Sequence, residues 1–253
     1  MPSRYKKILA LTAVTSFVSL PAAAQERDDN HIRVGVGALM IEAPFKGEDT
    51  RIFPLPILSI KQGPLYLEGG EAGVALDAPI AGFTPSLQLF VAARNTVARD
   101  RQKITADGGA RIGLTSSLGT LSAAYRHDIT GTFDGGEFIL RYQVPIEMGR
   151  VTISPAAQIS FLDRATANHM YGVTTKQRAR AIRKGRDVIL PVAPITDNAM
   201  NLGGDITATF QISDRLTMVG VLGGTYLDKT IHRSAAIDQK WESQAVVGLI
   251  YSF

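Results

Sequence analysis

The sequence contains no cysteine in its 253 residues. Disulfides, thiolate metal sites and cysteine nucleophiles are therefore excluded, and an exported chain of this size must be held by its packing or by its solvent. Histidine is scarce: His31, His127, His169 and His232 are scattered too widely to suggest a metal-ligand spacing. Beyond residue 24, no stretch approaches the roughly 18 consecutive apolar residues that a membrane-crossing helix needs. Gly35-Val36-Gly37 does not open a dinucleotide fingerprint, since Met40 stands where the third glycine is required. No metal and no cofactor is implied.

The N-terminus, in contrast, carries a clear address. Arg4, Lys6 and Lys7 precede an apolar run from Ile8 to Leu20, and Pro21-Ala22-Ala23-Ala24 supplies a small-residue cleavage site before Gln25. Residues 1–24 are expected to be a cleaved signal peptide, leaving residues 25–253 as one domain. Removing the three leader cations takes the formal charge from +4 to +1. The basic run Lys176, Arg178, Arg180, Arg183, Lys184 and Arg186 is then a local feature of a nearly neutral exported chain, and nucleic acid is not its expected partner.

The body of the chain alternates. Leu202, Gly204, Ile206, Ala208, Phe210 and Ile212 share one face, with Asp205, Thr207, Thr209, Gln211 and Ser213 on the other. Phe138, Leu140, Tyr142 and Val144 oppose Glu137, Arg141 and Gln143; Val151, Ile153, Ala157, Ile159 and Phe161 oppose Thr152, Ser154, Gln158 and Ser160. Pro155 interrupts the last of these and predicts a bulge or a strand end near it. Similar segments at His31–Glu42, Arg51–Lys61, Leu65–Gly69, Gly73–Asp77, Thr84–Arg94, Ala110–Ser117, Leu121–Ile129, Leu216–Leu227 and Ala245–Phe253 bring the expected total to twelve. Ten is the alternative. Splitting Leu65–Asp77 at Gly69-Gly70 keeps the count even, as in single-chain bacterial barrels. Short turns such as Lys61-Gln62-Gly63, Glu147-Met148-Gly149 and Ser213-Asp214 alternate with long connections at Asn95–Ala106, Gly131–Gly136, Arg164–Ala199 and Asp228–Trp241. The fold class predicted is all-β: a transmembrane, antiparallel, up-and-down β-barrel with both termini on the periplasmic side.

Within that frame the candidate residues fall into three groups. Val247, Leu249, Tyr251 and the terminal Phe253 form an alternating aromatic ending of the kind read by the barrel assembly machinery. The six cations from Lys176 to Arg186 lie in the longest external loop, where Thr174-Thr175-Lys176-Gln177 fits a capping box and a basic surface would face lipopolysaccharide phosphates. Glu137, Arg141, Asp205 and Gln211 point into the lumen, either lining water or pairing across a filled interior. Catalysis has only a thin candidate, His127-Asp128 near the outer end of a strand, and no catalytic residue is assigned.

Several motifs then point to a family. Arg33-Val34-Gly35-Val36-Gly37, the run Phe45-Lys46-Gly47-Glu48-Asp49-Thr50-Arg51-Ile52-Phe53-Pro54-Leu55-Pro56, Gly63–Gly70, Met170-Tyr171-Gly172-Val173-Thr174 and the Tyr251-Ser252-Phe253 ending occur in an order and spacing that resembles the MipA/OmpV family (MltA-interacting protein) of outer-membrane proteins. Phe45 and Glu48 stand where Tyr and Ser are commoner, and the run Lys176–Arg186 is unusually basic. The resemblance implies a barrel in the outer membrane of a Gram-negative bacterium, and the reading of the residues adds that it is not expected to be an enzyme. It also implies a scaffold that joins a lytic transglycosylase to a penicillin-binding protein in murein growth. A narrow porin for small solutes is the alternative.

Overall fold

The computed structural model describes residues 30–94 and 105–253. The expected signal peptide, and residues 95–104 of the expected external connection, lie outside the described residues.

Alternating apolar and polar residues form strands throughout: β1 (Asn30–Glu42), β2 (Arg51–Gln62), β3 (Leu65–Glu68), β4 (Glu71–Asp77), β5 (Thr84–Arg94), β6 (Thr105–Ser116), β7 (Gly119–Asp128), β8 (Gly136–Gln143), β9 (Ile146–Met148), β10 (Val151–Leu162), β11 (Ala199–Gln211), β12 (Leu216–Tyr226) and β13 (Trp241–Ser252). Three helices, α1 (Arg164–Tyr171), α2 (Thr175–Arg183) and α3 (Lys229–His232), sit in the long connections. Neighbours in sequence pair antiparallel, and β13 pairs with β1 from Arg33↔Ser252 to Glu42↔Ser243, so the sheet closes on itself. Segments β8 and β9 pair with the same edge of β10, as Ala156↔Gln143 and Ile153↔Ile146, and so make one interrupted stave. The wall is a closed barrel of twelve staves.

The split at Gly69-Gly70 occurs where expected: both glycines have positive φ, 55° and 89°, and close the β3–β4 hairpin. The defect expected near Pro155 falls instead on its neighbour. Strand β10 runs unbroken through Pro155, whereas β8 and β9 separate at Val144-Pro145, and Val144 donates its amide to the Pro155 carbonyl at 3.0 Å. Proline cannot donate to a ladder, so two prolines on adjacent staves interrupt it at one level.

Several strands start earlier than their apolar patterns indicate, β6 and β13 by the most. Strand β6 begins at Thr105 and β13 at Trp241, because the first inward residues of each, Thr105, Asp107, Glu242 and Gln244, are polar. The outward residues form the apolar band: Ile32, Val36, Ile52, Leu89, Ile112, Ile206, Leu222 and Val247 are all exposed. One end carries short turns, the other the long connections.

The β13–β1 seam is lined by small residues. Gly37 pairs with Gly248, and a Cβ added to Gly37 would lie 2.5 Å from the Val247 carbonyl oxygen. A Cβ on Gly248 would meet Ile57 Cδ1 at 2.9 Å, so a side chain of β2 reaches across the glycines of β1 onto β13. Gly37→Val is expected to destabilise the closed barrel by about 1–3 kcal/mol through overpacking. Urea unfolding in lipid vesicles checks this, with a lower midpoint as the expected result.

Candidate functional site

The barrel interior is divided by chemistry. On one side, Leu39 and Ile41 of β1, Val219 and Val221 of β12, and Val246 and Ile250 of β13 form a buried apolar sector, with Phe53, Leu55 and Ile57 of β2 packed against it. The remaining staves carry charge. Near the long-loop end, Arg94 on β5 donates to Asp107 on β6 at 2.5 Å and approaches Glu137 on β8 at 3.1 Å, while Arg126 on β7 donates to Glu137 at 2.6 Å. Asp107 is 0% exposed. Burial at this depth requires ionised groups to be paired, and two arginines interleaved with two carboxylates satisfy that requirement.

Further round, Arg111 on β6 forms a bidentate pair with Glu71 on β4 at 3.0 and 3.1 Å and donates to Gln88 at 2.5 Å. Tyr66 donates to the same Glu71 at 2.7 Å. Arg141 on β8 reaches over β10 to Asp205 on β11 at 2.6 and 3.0 Å. Ser154, Gln158 and Ser160, the inward residues of the intervening β10, are buried polar groups, and Arg141 also donates to Gln158 at 3.4 Å. Glu137, Arg141 and Asp205 are thus inward residues engaged in ion pairs. Gln211 lies exposed at the short-turn end of β11.

The long connections fold over the mouth. Ala43, Phe45, Leu162, Ala167, Tyr171, Val173, Ile195, Leu227, Ile231 and Ile237 belong to one buried cluster that draws on several loops and both α1 and α3. Short bridges, Phe45↔Ile237 and Val173↔Ala193, hold it. Asp163 caps α1 by accepting from the Thr166 amide at 2.7 Å and also accepts from the Gly136 amide at 2.7 Å, which ties the lid to the start of β8. Asp228 caps α3 through the Thr230 amide at 2.7 Å and accepts from the Met200 amide of β11 at 3.3 Å. From below, Arg94 donates to Met170 Sδ at 3.4 Å, and Tyr171 donates to Glu242 at 3.0 Å. Burial raises the Tyr171 phenol well above its ordinary range, assisted by Glu242, so it remains a donor at neutral pH.

The expected capping box is present: Thr174 accepts from the Gln177 amide, and the Gln177 side chain accepts from the Thr174 amide at 2.7 Å. On and just after α2, Lys176, Arg178, Arg180, Arg183 and Lys184 are exposed, while Arg186 is half-buried. On β13, Val247, Leu249 and Tyr251 face outward and Phe253 is exposed, its ring edge-on to Tyr251 at 5.1 Å. His127 and Asp128 part company. The Asp128 carboxylate accepts the amides of Thr130, Thr132, Phe133 and Asp134 and orders the β7–β8 connection. His127 contacts Asp134 at 3.2 Å instead. Among the described residues, no group of three His, Asp or Glu side chains is placed to hold a metal ion.

The comparison with known proteins settles the lineage. The family described as MltA-interacting protein MipA matches residues 34–253. The chain belongs to this family. It is 21% identical to YiaT of Escherichia coli O157:H7, whose name assigns it to the outer membrane, with 98% of each chain covered. It is 20% identical, again over 98% of both chains, to the MltA-interacting protein of Escherichia coli K12. Among solved structures, OmpT of Vibrio cholerae aligns over 90% of this chain and 99% of its own, at 6% identity and a TM-score of 0.45. The protein is accordingly an outer-membrane barrel of the MipA family in a Gram-negative envelope. Outer-membrane barrels turn their short connections to the periplasm and their long ones outward, an asymmetry that puts the lid on the external side.

Two outcomes test this interior. Asp205→Ala, which strands Arg141, is expected to cost about 3–5 kcal/mol, whereas the double change Arg141→Met with Asp205→Leu is expected to cost much less. Urea unfolding of the three barrels in vesicles makes the comparison. For the lid, burial pushes the Asp163 and Asp228 carboxyls up, but the amides of Thr166 and Gly136, and of Thr230 and Met200, outweigh it and hold both below the ordinary range. Groups depressed on folding contribute fully above the unfolded carboxylate pKa of about 4 and lose that contribution as pH falls through the folded value. Protease cleavage within residues 163–198 is therefore expected to accelerate below about pH 4, and Asp163→Asn is expected to show fast cleavage already at neutral pH.

Proposed function

We propose that the protein is a non-enzymatic scaffold of the envelope that engages murein-synthesising and murein-hydrolysing enzymes through its periplasmic rim. One observation carries the reading: buried ion pairs and a buried apolar sector occupy the interior, and packed loops cover its outer mouth. This arrangement favours a wall with two functional rims over a route for solutes. The name of the relative in Escherichia coli K12 specifies an interaction with MltA, and the resemblance implies lytic transglycosylase and penicillin-binding partners.

The rim offers apolar contacts. The turn between β4 and β5 exposes Ile80 and Phe83, which bridge each other, and holds Ala81 at φ 45°. Leu118 is 75% exposed at the next turn. Small apolar knobs on short turns fit a weak or transient complex. At the opposite rim, the exposed cations of α2 face the phosphates of lipopolysaccharide, an attraction that salt screens. The terminal Val247, Leu249, Tyr251 and Phe253 serve recognition by the barrel assembly machinery, and residues 1–24 serve export.

Photo-crosslinking probes at Gln62 and Glu147 test the scaffold in cells. Capture of a murein hydrolase or synthase, reduced by Ile80→Asp and absent with a probe in the lid, is the expected result. Nonspecific neighbours alone, from a barrel shown to be folded, would reject the scaffold. Single-channel conductance in planar bilayers would then separate out the narrow porin.

A further inference from the structure

The wall is not uniform in height. Strand β2 pairs with β1 over its whole length, from Asn30↔Gln62 to Ile41↔Arg51, but with β3 only from Ser59 to Gln62. The β3–β4 hairpin turns back at Gly69-Gly70, and β4 pairs with β5 up to Ala92. Among the described residues, the other edge of β2 therefore has no ladder partner from Ile52 to Leu58, a length of about 23 Å. At the hairpin crest, three interstrand spacings separate β2 from β5, about 14 Å, ample for an acyl chain whose methylene contacts fall near 4 Å. The gap is a wedge, long on β2 and short on β5, where Ala93 donates its amide to the Gly70 carbonyl at 2.9 Å and, among the described residues, the strand ends at Arg94.

This free edge lies at hydrocarbon depth. The outward residues of the unpaired length are Ile52, Pro54, Pro56 and Leu58, all exposed, and Ile52 is 71% exposed. Unpaired backbone in hydrocarbon is tolerated only where protein or a polar cavity receives it.

The edge is also built against the commonest occupant, another strand. Register with β1 continues through Val36↔Pro56 and Ala38↔Pro54. Alternate residues of an antiparallel strand turn their polar groups to alternate sides, so these prolines share the free side with Ile52 and Leu58. Their missing N–H groups leave the edge rich in carbonyl acceptors and poor in donors, which blunts strand addition.

Behind the edge, Phe53, Leu55 and Ile57 point inward and lead to the apolar sector of the interior. Above it, the β1–β2 connection meets the basic lid segment: a Cβ on Gly47 would lie 3.5 Å from both methyl groups of Val188, two residues beyond Arg186. An apolar slot, a row of acceptors and a cationic roof match an amphiphile with a phosphorylated head, hydroxyl or amide donors near that head, and acyl chains. The glycolipid of the outer leaflet has these groups.

We propose that the wedge between β2 and β5 is a lateral portal that receives an acyl chain of lipopolysaccharide from the outer leaflet. The chain lies against Phe53, Leu55 and Ile57, and donors near the headgroup meet the free carbonyls of β2. The assignment of the phosphates to the basic segment rests on the electrostatic reading of the lid given above; the portal itself rests on the unpaired edge.

Site-specific photo-crosslinking in living cells tests it, with benzoylphenylalanine replacing Phe53, or Leu55 as a second inward position beside the wedge. Val36 serves as an outward, lipid-facing control, and Ile139 as an inward control on a stave flanked on both edges. Heat-modifiable gel migration verifies that each barrel is folded. Lipopolysaccharide adducts at Phe53 and Leu55 within about twofold of Val36, with none at Ile139, are the expected result for a chain drawn through the wall. Adducts at Phe53 and Leu55 no stronger than at Ile139, or adducts only with phospholipid or protein, overturn the portal. The same probe in the triple variant Arg178→Glu, Arg180→Glu, Arg183→Glu separates the two readings. A several-fold loss supports the cationic roof, whereas an unchanged Phe53 adduct removes the roof and leaves the portal standing.

Discussion

Hydrocarbon offers no hydrogen-bond partner to a backbone amide, and this constraint organises the molecule. A sheet in such a solvent must close, and closure here depends on β13 pairing with β1, from Arg33↔Ser252 to Glu42↔Ser243. Once the wall is closed, each strand presents one face to lipid and one to the interior, so polarity is sorted by residue parity. Charged residues that would be costly on the outside become the filling. Arg94, Asp107, Arg126 and Glu137 come from four consecutive staves and pair there because a buried charge without a partner is costly.

The same constraint explains what the sequence reveals and what it hides. Lipid demands apolar side chains at every second position, and the outward faces were legible from that rule, whereas the hairpin at Gly69-Gly70 and the count of twelve followed from the even strand number of single-chain bacterial barrels. Inward positions obey no such rule. Thr105 and Asp107 resemble loop residues, and only their pairing with the adjacent strand β5 and its Arg94 identifies them as strand. Arg141 and Asp205 were recognisable as inward, but their pairing joins residues 64 apart in sequence, across a strand whose contribution is a row of small polar side chains. Arg94, Arg111, Arg126 and Glu71 were missed as members of the filling, although parity within their strands was the signal that would have found them. Helix α2 announced itself through the Thr174 capping box. The Asp163 cap of α1 had a comparable local signal, but its second bond, to Gly136, had none.

Family membership fixes the architecture and the membrane. The two ends differ in construction. Externally, a buried core of loop and helix residues gives the lid a packing of its own, pinned to the barrel by two aspartates and by Tyr171. At the periplasmic end the turns are short and expose Ile80, Phe83 and Leu118. A mobile partner would find little area there, but a rigid frame beneath it, since each turn joins strands fixed in a closed ladder.

Closing the wall also orders events in time. The pairing Arg33↔Ser252 unites positions near opposite ends of the described chain, whereas every other neighbouring stave is formed from consecutive segments. Local hairpins can zip as soon as their two strands are present, but the loop-closure entropy of the final seam is met only when the last strand arrives. Until then the nascent sheet has two raw edges in a bilayer that cannot hydrate them. An unfinished barrel of this design therefore leaves backbone donors and acceptors unmet on both edges until the last seam, with its facing Gly37 and Gly248, has formed.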